Sequence, residues 1–251
     1  MAHLYLVDDL PAAGLAAGET VSVSGEEARH AVRVARLRVG EVIRLGDGAG
    51  ALAEGEVVEA DRDRFSVRLE RAWRVEAPTP RLTLVQALAK GDRDERAVEQ
   101  ATEFGVDQVW PWQAARSVAR WEGAKADRGV EKWQRIAREA SKQALRSHVP
   151  RVGALRHLDQ LAELAGAPGT QMAVLHPAGT SSLAAWADSE PVRQAAEVML
   201  VVGPEGGLSE VELSRLAAAG ADAVRLGDLV LRTSSAGPAA LAVLNVALGR
   251  W

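Results

Sequence analysis

The chain has 251 residues, of which 47% are hydrophobic, and a formal net charge of −4. These values are typical of a globular protein with one large domain or two smaller ones. Because the chain has no cysteine, disulfides, thiolate metal sites and cysteine nucleophiles are excluded. The histidines are scattered without metal-ligand spacing, so no metal site is expected. The sequence shows neither a signal peptide nor a membrane span, and we expect a soluble, cytoplasmic protein.

Basic side chains are concentrated in the middle of the chain. Residues 78–156 carry 15 basic and 10 acidic side chains, although the chain as a whole is acidic. A local excess of positive charge on an acidic protein favours a basic surface that binds nucleic acid.

Short alternating apolar runs in the first 74 residues predict a small β-rich domain. One helix, from Glu26 to Leu37, interrupts the strands. Arg29, Arg33 and Arg36 share one face of that helix at i, i+4 and i+7. His30 lies beside them, and the face is either solvated surface or a surface that grips RNA phosphates.

Pro78 and Pro80 favour an extended linker, so we place a domain boundary between residues 76 and 77. Beyond it, strands alternate with helices, which predicts a parallel α/β sheet. One of these strands is expected from Val106 to Trp110, and Pro111 is expected to end it. A helix around residues 131–146 has an apolar side and an opposite basic stripe. The stripe consists of Arg135, Arg138, Lys142 and Arg146. It is either a solvated face or a contact with the RNA backbone.

The segment from Val198 to Ser209 predicts a buried strand, a tight glycine loop and a helix start. The apolar run ends at Val202, and Gly203-Pro204-Glu205-Gly206-Gly207 follows. Ser209 to Glu212 is a capping box that begins a helix. In α/β sheets such a corner presents a ligand site at the carboxyl end of a strand, but a purely structural turn has the same pattern.

Two further strand ends, Leu175-His176-Pro177 and Leu226 to Thr233, offer main-chain donors and acceptors but few reactive side chains. No Walker lysine follows the glycines and their spacing is not G-x-G-x-x-G, which excludes a P-loop and a dinucleotide fingerprint. A main-chain site suits a cofactor that carries its own reactive group. A helix that begins at Gly237-Pro238 is apolar nearly all round, so we expect it to be buried against the sheet and a second subunit.

Val202 to Ser209, together with Leu226-Gly227 and Leu231-Arg232-Thr233, resembles the signature of the SPOUT RNA methyltransferases. Within that group the chain is similar to the RsmE family, the 16S ribosomal RNA uracil-N3 methyltransferases. Further blocks that resemble this family are His30 to Gly40, Lys90-Gly91, Glu99 to Val106, Glu139-Ala140, Gln143, Arg146 and Val149-Pro150. The likeness covers nearly the whole chain.

The resemblance implies an α/β protein in which a PUA-like, RNA-binding β-barrel (residues 1–76) precedes a SPOUT methyltransferase domain (residues 77–251). A trefoil knot is implied near the C-terminus. The family also implies a homodimer that acts on 16S ribosomal RNA or the small ribosomal subunit in ribosome biogenesis. The implied cofactor is S-adenosyl-L-methionine, and the implied activity is methylation of N3 of a specific uridine.

The resemblance and the strand-end loops together give candidate residues for each role. We expect the cofactor to contact Leu175, His176, Val202, Gly203, Pro204, Glu205, Gly206, Gly207, Leu226, Gly227, Leu231 and Thr233. We expect RNA to contact His30, Arg33, Arg36, Arg38, Lys90, Arg93, Arg138, Lys142 and Arg146. Arg232 is the catalytic candidate, because a guanidinium can stabilise the negative charge that develops on uracil as its N3 proton leaves. The alternative for Arg232 is a structural arginine bonded to loop carbonyls.

Two residues depart from the family pattern. Ser234 stands where many members have a glutamate, and Lys142 stands where an acid is common. The glutamate therefore cannot be essential here as a base or clamp, and its role passes to Ser234, to another acid or to nothing. Two other functions stay open. One is a non-catalytic RNA-binding or ribosome-assembly factor on the same fold, and the other is a SPOUT 2′-O-ribose methyltransferase.

Overall fold

The computed structural model describes residues 3–8, 10 and 15–251, which form two compact units. The first unit comprises residues 1–77 together with 141–149, and the second comprises residues 78–140 together with 150–251. The segment 141–149 therefore belongs to the first unit although it lies far along the chain, which no local pattern in the sequence indicates.

A five-stranded sheet of strand order β1-β3-β4-β5-β2 and one helix form the first unit. Their bounds are β1 (Leu4–Leu6), β2 (Thr20–Ser24), α1 (Glu26–Arg33), β3 (Val42–Gly46), β4 (Ala51–Ala60) and β5 (Arg64–Arg74). The β1–β3 pair is parallel and the other pairs are antiparallel. Alternation along the strands turns Ile43, Leu45 and Phe65 towards a core that α1 covers with Ala28 and Ala31. The predicted β-rich domain is confirmed.

Helix α1 ends at Arg33, four residues before the predicted end. The N–H of Val34 closes the last turn on the carbonyl of His30, and Arg36 has a left-handed backbone with φ of 58°. Leu37 then turns into the core, where the burial of its side chain stabilises this change of direction. The expectation that Arg36 continues the helical face of Arg33 is therefore wrong.

Seven parallel strands in the order β10-β12-β9-β11-β6-β7-β8 form the sheet of the second unit. The strands are β6 (Arg81–Ala87), β7 (Gln108–Trp112), β8 (Arg151–Val152), β9 (Thr170–Leu175), β10 (Ser181–Ser182), β11 (Glu197–Val202) and β12 (Asp222–Arg225). The helices are α2 (Arg93–Glu103), α3 (Ala124–Gln143), α4 (Leu158–Ala165), α5 (Leu183–Ala187), α6 (Glu190–Arg193), α7 (Glu210–Ala218) and α8 (Thr233–Ala247). Strand β11 is buried from Val198 to Val202, which explains its unbroken apolar run. The predicted parallel α/β sheet is confirmed.

Pro111 lies inside a strand that the sequence predicts to end there, and Pro238 lies inside a helix that the sequence predicts to begin at Gly237-Pro238. Pro111 lies within β7 opposite Gln86, so the strand runs to Trp112 instead of ending at the proline. Helix α8 begins at Thr233, four residues before Gly237, because the carbonyl of Arg232 already accepts the N–H groups of residues 235 and 236. Because proline has no N–H, Pro238 removes only one main-chain hydrogen bond from the interior of α8.

Among the described residues, no helix is long and apolar enough to cross a membrane.

Candidate functional site

A cavity of about 510 Å³ opens at the carboxyl edge of the parallel sheet, within the second unit. The residues that line it follow the ends of β6, β7, β9 and β11 or precede and begin α8. They are Arg93, Arg116, Leu175, His176, Pro177, Val202, Gly203, Pro204, Glu205, Gly207, Leu208, Val230, Leu231, Arg232, Thr233 and Ala236. This edge is where open α/β sheets bind ligands, and the volume suits a small molecule.

Most of the predicted cofactor residues, and Arg232, line this cavity. Leu226 and Gly227 line a smaller cavity of about 90 Å³ that shares Leu175 and Leu231 with the larger one. Gly206 is not among the lining residues, although its carbonyl belongs to the same loop. The three strand-end loops that the sequence singled out therefore come together at one edge of the sheet.

The glycine loop, residues 203–208, is held mainly through main-chain carbonyls. Side chains from β7, the loop after β7 and α8 donate to carbonyls at and beyond the end of β11: Trp112 to Val202 (3.0 Å), Thr233 to Gly203 (2.8 Å), and Arg116 to Gly206 (3.1 Å) and Leu208 (3.2 Å). Within the described part of the chain, the N–H groups of residues 203, 206 and 208 donate no hydrogen bond. The loop therefore keeps main-chain donors available beside the cavity.

Glu205 attaches the glycine loop to the start of α2. Its Oε1 accepts hydrogen bonds from Nη1 of Arg93 (2.5 Å) and from the N–H of Lys90 (3.1 Å). Burial raises the pKa of Glu205, but the hydrogen bonds from its own N–H, Arg93 and Lys90 outweigh burial, so the pKa lies below its ordinary value. Glu205 is thus an ionised anchor and a poor proton acceptor. Lys90 and Arg93, predicted to bind RNA, both contact this loop.

The hydroxyl of Thr233, a largely buried residue, connects three elements. It donates to the carbonyl of Gly203 and accepts a hydrogen bond of 2.9 Å from Nε2 of Gln86, which is fully buried on β6. The start of α8 is thereby fixed against β6 and the glycine loop. The preceding segment, residues 226–231, donates no main-chain N–H hydrogen bond to any described residue, and Leu229 and Val230 are 82% and 81% exposed.

Arg232 lines the cavity with an exposed side chain. Its carbonyl caps α8, whereas its guanidinium makes no hydrogen bond or ion pair with any residue that the structure describes. The loop carbonyls that a structural arginine would occupy are bound by Arg116 instead. The hydroxyl of Ser234, one residue on, is likewise unpartnered within the described ranges. The Arg232 charge is available to a negatively charged group in the cavity.

The capping box predicted after the glycine loop is confirmed. Ser209 Oγ accepts the N–H of Glu212 (3.2 Å), and Glu212 Oε2 accepts the N–H and the hydroxyl of Ser209 (both 2.8 Å). Glu212 is 3% exposed, and its Oε1 accepts the N–H of Ala115 at 2.7 Å. One buried carboxylate therefore fixes both the start of α7 and the segment that carries Arg116.

The other predicted RNA contacts lie outside the cavity lining. His30, Arg33, Arg36 and Arg38 are exposed residues of the first unit, and Arg138 lies on α3. Arg146 follows the end of α3. The side chain of Lys142 is only 11% exposed and pairs with Glu27 at 3.2 Å. The expectation that Lys142 belongs to a solvated basic stripe is wrong, because its charge is neutralised in the first unit.

Sequence reasoning missed Arg116 and Ala236. It included Pro177, Leu208 and Val230 in the strand-end loops but did not name them as cofactor contacts. Arg116 was missed because Pro111 was expected to end its strand; with β7 continuing to Trp112, the next residues reach the ligand-binding edge. His176, by contrast, was found, and its Nδ1 accepts the N–H of Ala178 at 3.2 Å. In the described ranges no cluster of three or more His, Asp or Glu residues could hold a metal ion.

Comparison with known proteins identifies both units. Residues 75–245 match a family model described as an RNA methyltransferase domain, and residues 23–70 match one described as an RNA methyltransferase PUA domain. The chain is 42% identical over 254 aligned positions to ribosomal RNA small subunit methyltransferase E of Mycobacterium bovis, with coverage of 100% of this chain and 94% of the relative.

Two solved structures agree with this. A ribosomal RNA small subunit methyltransferase E from Neisseria gonorrhoeae, bound to S-adenosyl methionine, superposes with a TM-score of 0.84 at 25% identity, covering 98% of both chains. A putative methyltransferase from Legionella pneumophila in complex with the same cofactor gives 0.81 at 27% identity, covering 98% of this chain and 97% of that one. The chain has a PUA-like domain followed by a parallel α/β methyltransferase domain, and it belongs to the ribosomal RNA small subunit methyltransferase E family.

Proposed function

We propose that this protein transfers a methyl group from S-adenosylmethionine to N3 of a specific uridine in 16S ribosomal RNA of the small subunit. The observation that carries the proposal is the cavity at the sheet edge, where main-chain donors and the guanidinium of Arg232, none of them bonded to a described residue, meet apolar walls. The relatives are named for methylation of small-subunit ribosomal RNA.

The residues at the cavity fit S-adenosylmethionine. Leu175, Val202 and Leu208 provide apolar surface for a flat aromatic base. The N–H groups of residues 226–231, which bond to no residue that the structure describes, provide donors for its polar edge. The cofactor contacts expected from the sequence, including Leu226 and Gly227 of the adjoining cavity, are proposed to hold it. When bound, the cofactor supplies an electrophilic methyl group on its sulfonium.

The chain itself must orient the uracil and stabilise the charge left when the N3 proton departs. Arg232 is the proposed catalytic residue, since its guanidinium lies at the cavity without a competing partner among the described residues. Glu205 is not proposed as the base, because its hydrogen bonds lower its pKa. Thr233 is proposed to position Arg232, because its buried hydroxyl fixes the first turn of α8.

We propose that residues 1–76 form the RNA-binding domain, a PUA-like barrel, and that residues 77–251 form the methyltransferase domain. The exposed side chains of His30, Arg33, Arg36 and Arg38 support an RNA surface on the first domain. Lys90, Arg93, Arg138, Lys142 and Arg146 complete the proposed RNA contacts, of which Lys142 acts only if its pair with Glu27 opens. The proposed site of action is the cytoplasm, where small subunits are assembled.

A trefoil knot and a homodimer are proposed as well. The hydrogen bond from Thr233 to Gly203, which brings the loops after β11 and β12 together, supports the knot. An experimental structure that traces residues 200–235 tests the knot.

The exposed Val246 on α8 and the exposed Trp251 support the dimer, because such apolar side chains favour burial in an interface. Analytical ultracentrifugation measures the oligomeric state directly.

The decisive experiment is methylation of small subunits that lack the modification, with free 16S RNA alongside and the product base identified by mass spectrometry. We expect 3-methyluridine and cofactor binding by calorimetry. Methylation of a 2′-hydroxyl would replace the proposal by the ribose methyltransferase alternative. Binding of RNA without binding of S-adenosylmethionine would favour a non-catalytic assembly factor.

Replacing Arg232 with alanine tests the catalytic assignment. We expect turnover to fall at least about a hundredfold, as for loss of one oxyanion donor. The far-ultraviolet circular dichroism and the unfolding midpoint should not change, because the side chain is exposed and contacts no described residue by a polar bond. Turnover within threefold of the wild type would remove Arg232 from the catalytic role.

A further inference from the structure

Arg116 is a third arginine at the cavity, beside Arg93 and Arg232, and the proposed reaction gives it no task. It follows β7, whereas the proposed catalytic and cofactor residues follow β9, β11 and β12 or begin α8. Its Nη1 donates to the carbonyls of Gly206 (3.1 Å) and Leu208 (3.2 Å). One charged donor therefore connects two carbonyls within the glycine loop.

The main chain of the glycine loop and the side chain of Arg116 are in close contact. A Cβ at Gly206 would lie 3.1 Å from Cβ of Arg116, closer than ordinary van der Waals contact. The missing side chain at residue 206 thus lets the stem of Arg116 lie against the loop while its guanidinium binds the carbonyls. Gly207 has φ of 67°, so the loop turns sharply between the two bonded residues.

The segment that carries Arg116 is itself fixed by two neighbouring side chains. Arg120 donates to the carbonyls of Ala114 (3.2 Å) and Ala115 (2.9 Å), and the N–H of Ala115 donates to the buried Glu212. Arg116 therefore extends from a rigid support to the more exposed loop. This is the arrangement in which a supporting side chain can hold a binding loop in its productive form.

We infer that Arg116 is a positioning residue that holds the glycine loop in the form that binds S-adenosylmethionine. The inference rests on the proposed function for the identity of the cofactor. By binding the carbonyls of residues 206 and 208, Arg116 fixes the peptide groups that adjoin the N–H groups of residues 206 and 208, which donate to no described residue. Without it, the loop has to be ordered by the cofactor at the cost of part of the binding free energy.

The first test is calorimetric titration of the protein with S-adenosylmethionine, in which Arg116→Ala and Arg116→Lys are compared with the wild type. We expect the dissociation constant for S-adenosylmethionine to rise about tenfold in Arg116→Ala, as for loss of a charged hydrogen bond. The dissociation constant of Arg116→Lys should lie between those of the wild type and Arg116→Ala, because an ammonium is a point donor and lacks the planar fork of arginine. The matched control is Arg215→Ala, an exposed arginine on α7 paired with Asp159 at 3.4 Å, which should bind like the wild type. Equal affinity of Arg116→Ala and wild type would overturn the inference.

Steady-state kinetics separate positioning from mere support of the fold. A positioning role raises KM for S-adenosylmethionine and leaves kcat within about threefold, because uniform binding is lost. A general loss of folded protein instead lowers kcat at unchanged KM, and that pattern would also overturn the inference. If Arg116→Ala does not fold, the same comparison is made with Arg116→Lys.

Hydrogen exchange of the cofactor-free protein gives a readout that does not depend on activity. In Arg116→Ala we expect faster exchange of the Gly207 N–H, which donates to the carbonyl of Pro204, and unchanged exchange in β11. Unchanged exchange in the loop would contradict the inference. If the wild type failed to bind S-adenosylmethionine, the proposed function would fail, and the exchange result would still decide whether Arg116 orders the loop.

Discussion

The pKa of Tyr5 reports the burial of one identified side chain, because Tyr5 is the only tyrosine in the chain. It is 4% exposed, packs 5.5 Å from Phe65 between ring centroids, and has a pKa raised from 10.0 to about 12. Burial is the main cause, and the negative charges of Glu41 and Glu27 add to it.

We expect the ultraviolet absorbance of tyrosinate to appear near pH 12 in the folded protein and near pH 10 in denaturant. Since the folded pKa is the higher one, this contribution to stability is fully present below pH 10 and is lost as pH rises towards 12. Titration of the folded protein with the midpoint of free tyrosine would show that Tyr5 is not buried in solution. Tyr5→Phe, which has no tyrosinate, is the spectroscopic control.

At the same scale, most of the candidate site could be predicted from residue types and spacing, because glycines and strand ends are local signals. Arg116 could not, since its role depends on two hydrogen bonds to residues about ninety positions away. Lys142 was misjudged for a similar reason: its helical face is visible in the sequence, but its partner Glu27 lies 115 positions away. Ion pairs between distant segments leave no periodic pattern.

Helix α7 shows how one side chain can organise an element and its neighbour. Glu212 satisfies donors of Ser209 and of Ala115 from a position that is 3% exposed. Its removal leaves the N–H groups of Ser209 and Ala115 without their charged acceptor, and hydrogen bonds to charged groups are worth more than neutral ones.

We expect Glu212→Ala to lower the free energy of unfolding by about 2–3 kcal/mol, for the loss of a helix cap together with hydrogen bonds to a charged acceptor. Urea unfolding followed by tryptophan fluorescence measures it. Glu210→Ala, in the same first turn but exposed, should change stability by less than about 0.5 kcal/mol. Equal effects of the two substitutions would contradict the assigned role of Glu212.

Strand and helix types were predictable, whereas several ends were not. The apolar run of β11 and the capping box of α7 are local and were found correctly. The end of β7 and the start of α8 were wrong, because proline was given more weight than the tertiary hydrogen bonds that hold both elements. Intrinsic propensity is a weak guide where packing and side-chain bonds compete with it.

The whole molecule consists of two units, and the proline-rich linker indicated this division only in part. The inclusion of residues 141–149 in the first unit depends on long-range contacts such as Lys142 with Glu27. The division has a testable consequence, because the cavity proposed for the cofactor lies wholly within the second unit and the exposed arginines after β2 lie in the first. Weakening RNA binding through the first unit should leave cofactor binding intact.

We expect the double substitution Arg33→Gln, Arg36→Asn to weaken binding of 16S RNA and to leave the dissociation constant for S-adenosylmethionine unchanged. Asparagine tolerates the left-handed backbone at residue 36, so the fold should persist. If each arginine neutralises one phosphate of unpaired RNA, the slope of log affinity against log salt should become shallower by about 1.4. Filter binding across a salt series measures this slope. Arg68→Ala, an exposed arginine of the same unit already paired with Glu56 at 2.8 Å, should leave it unchanged. A slope that stays the same in the double variant would mean that RNA does not contact this part of the first unit.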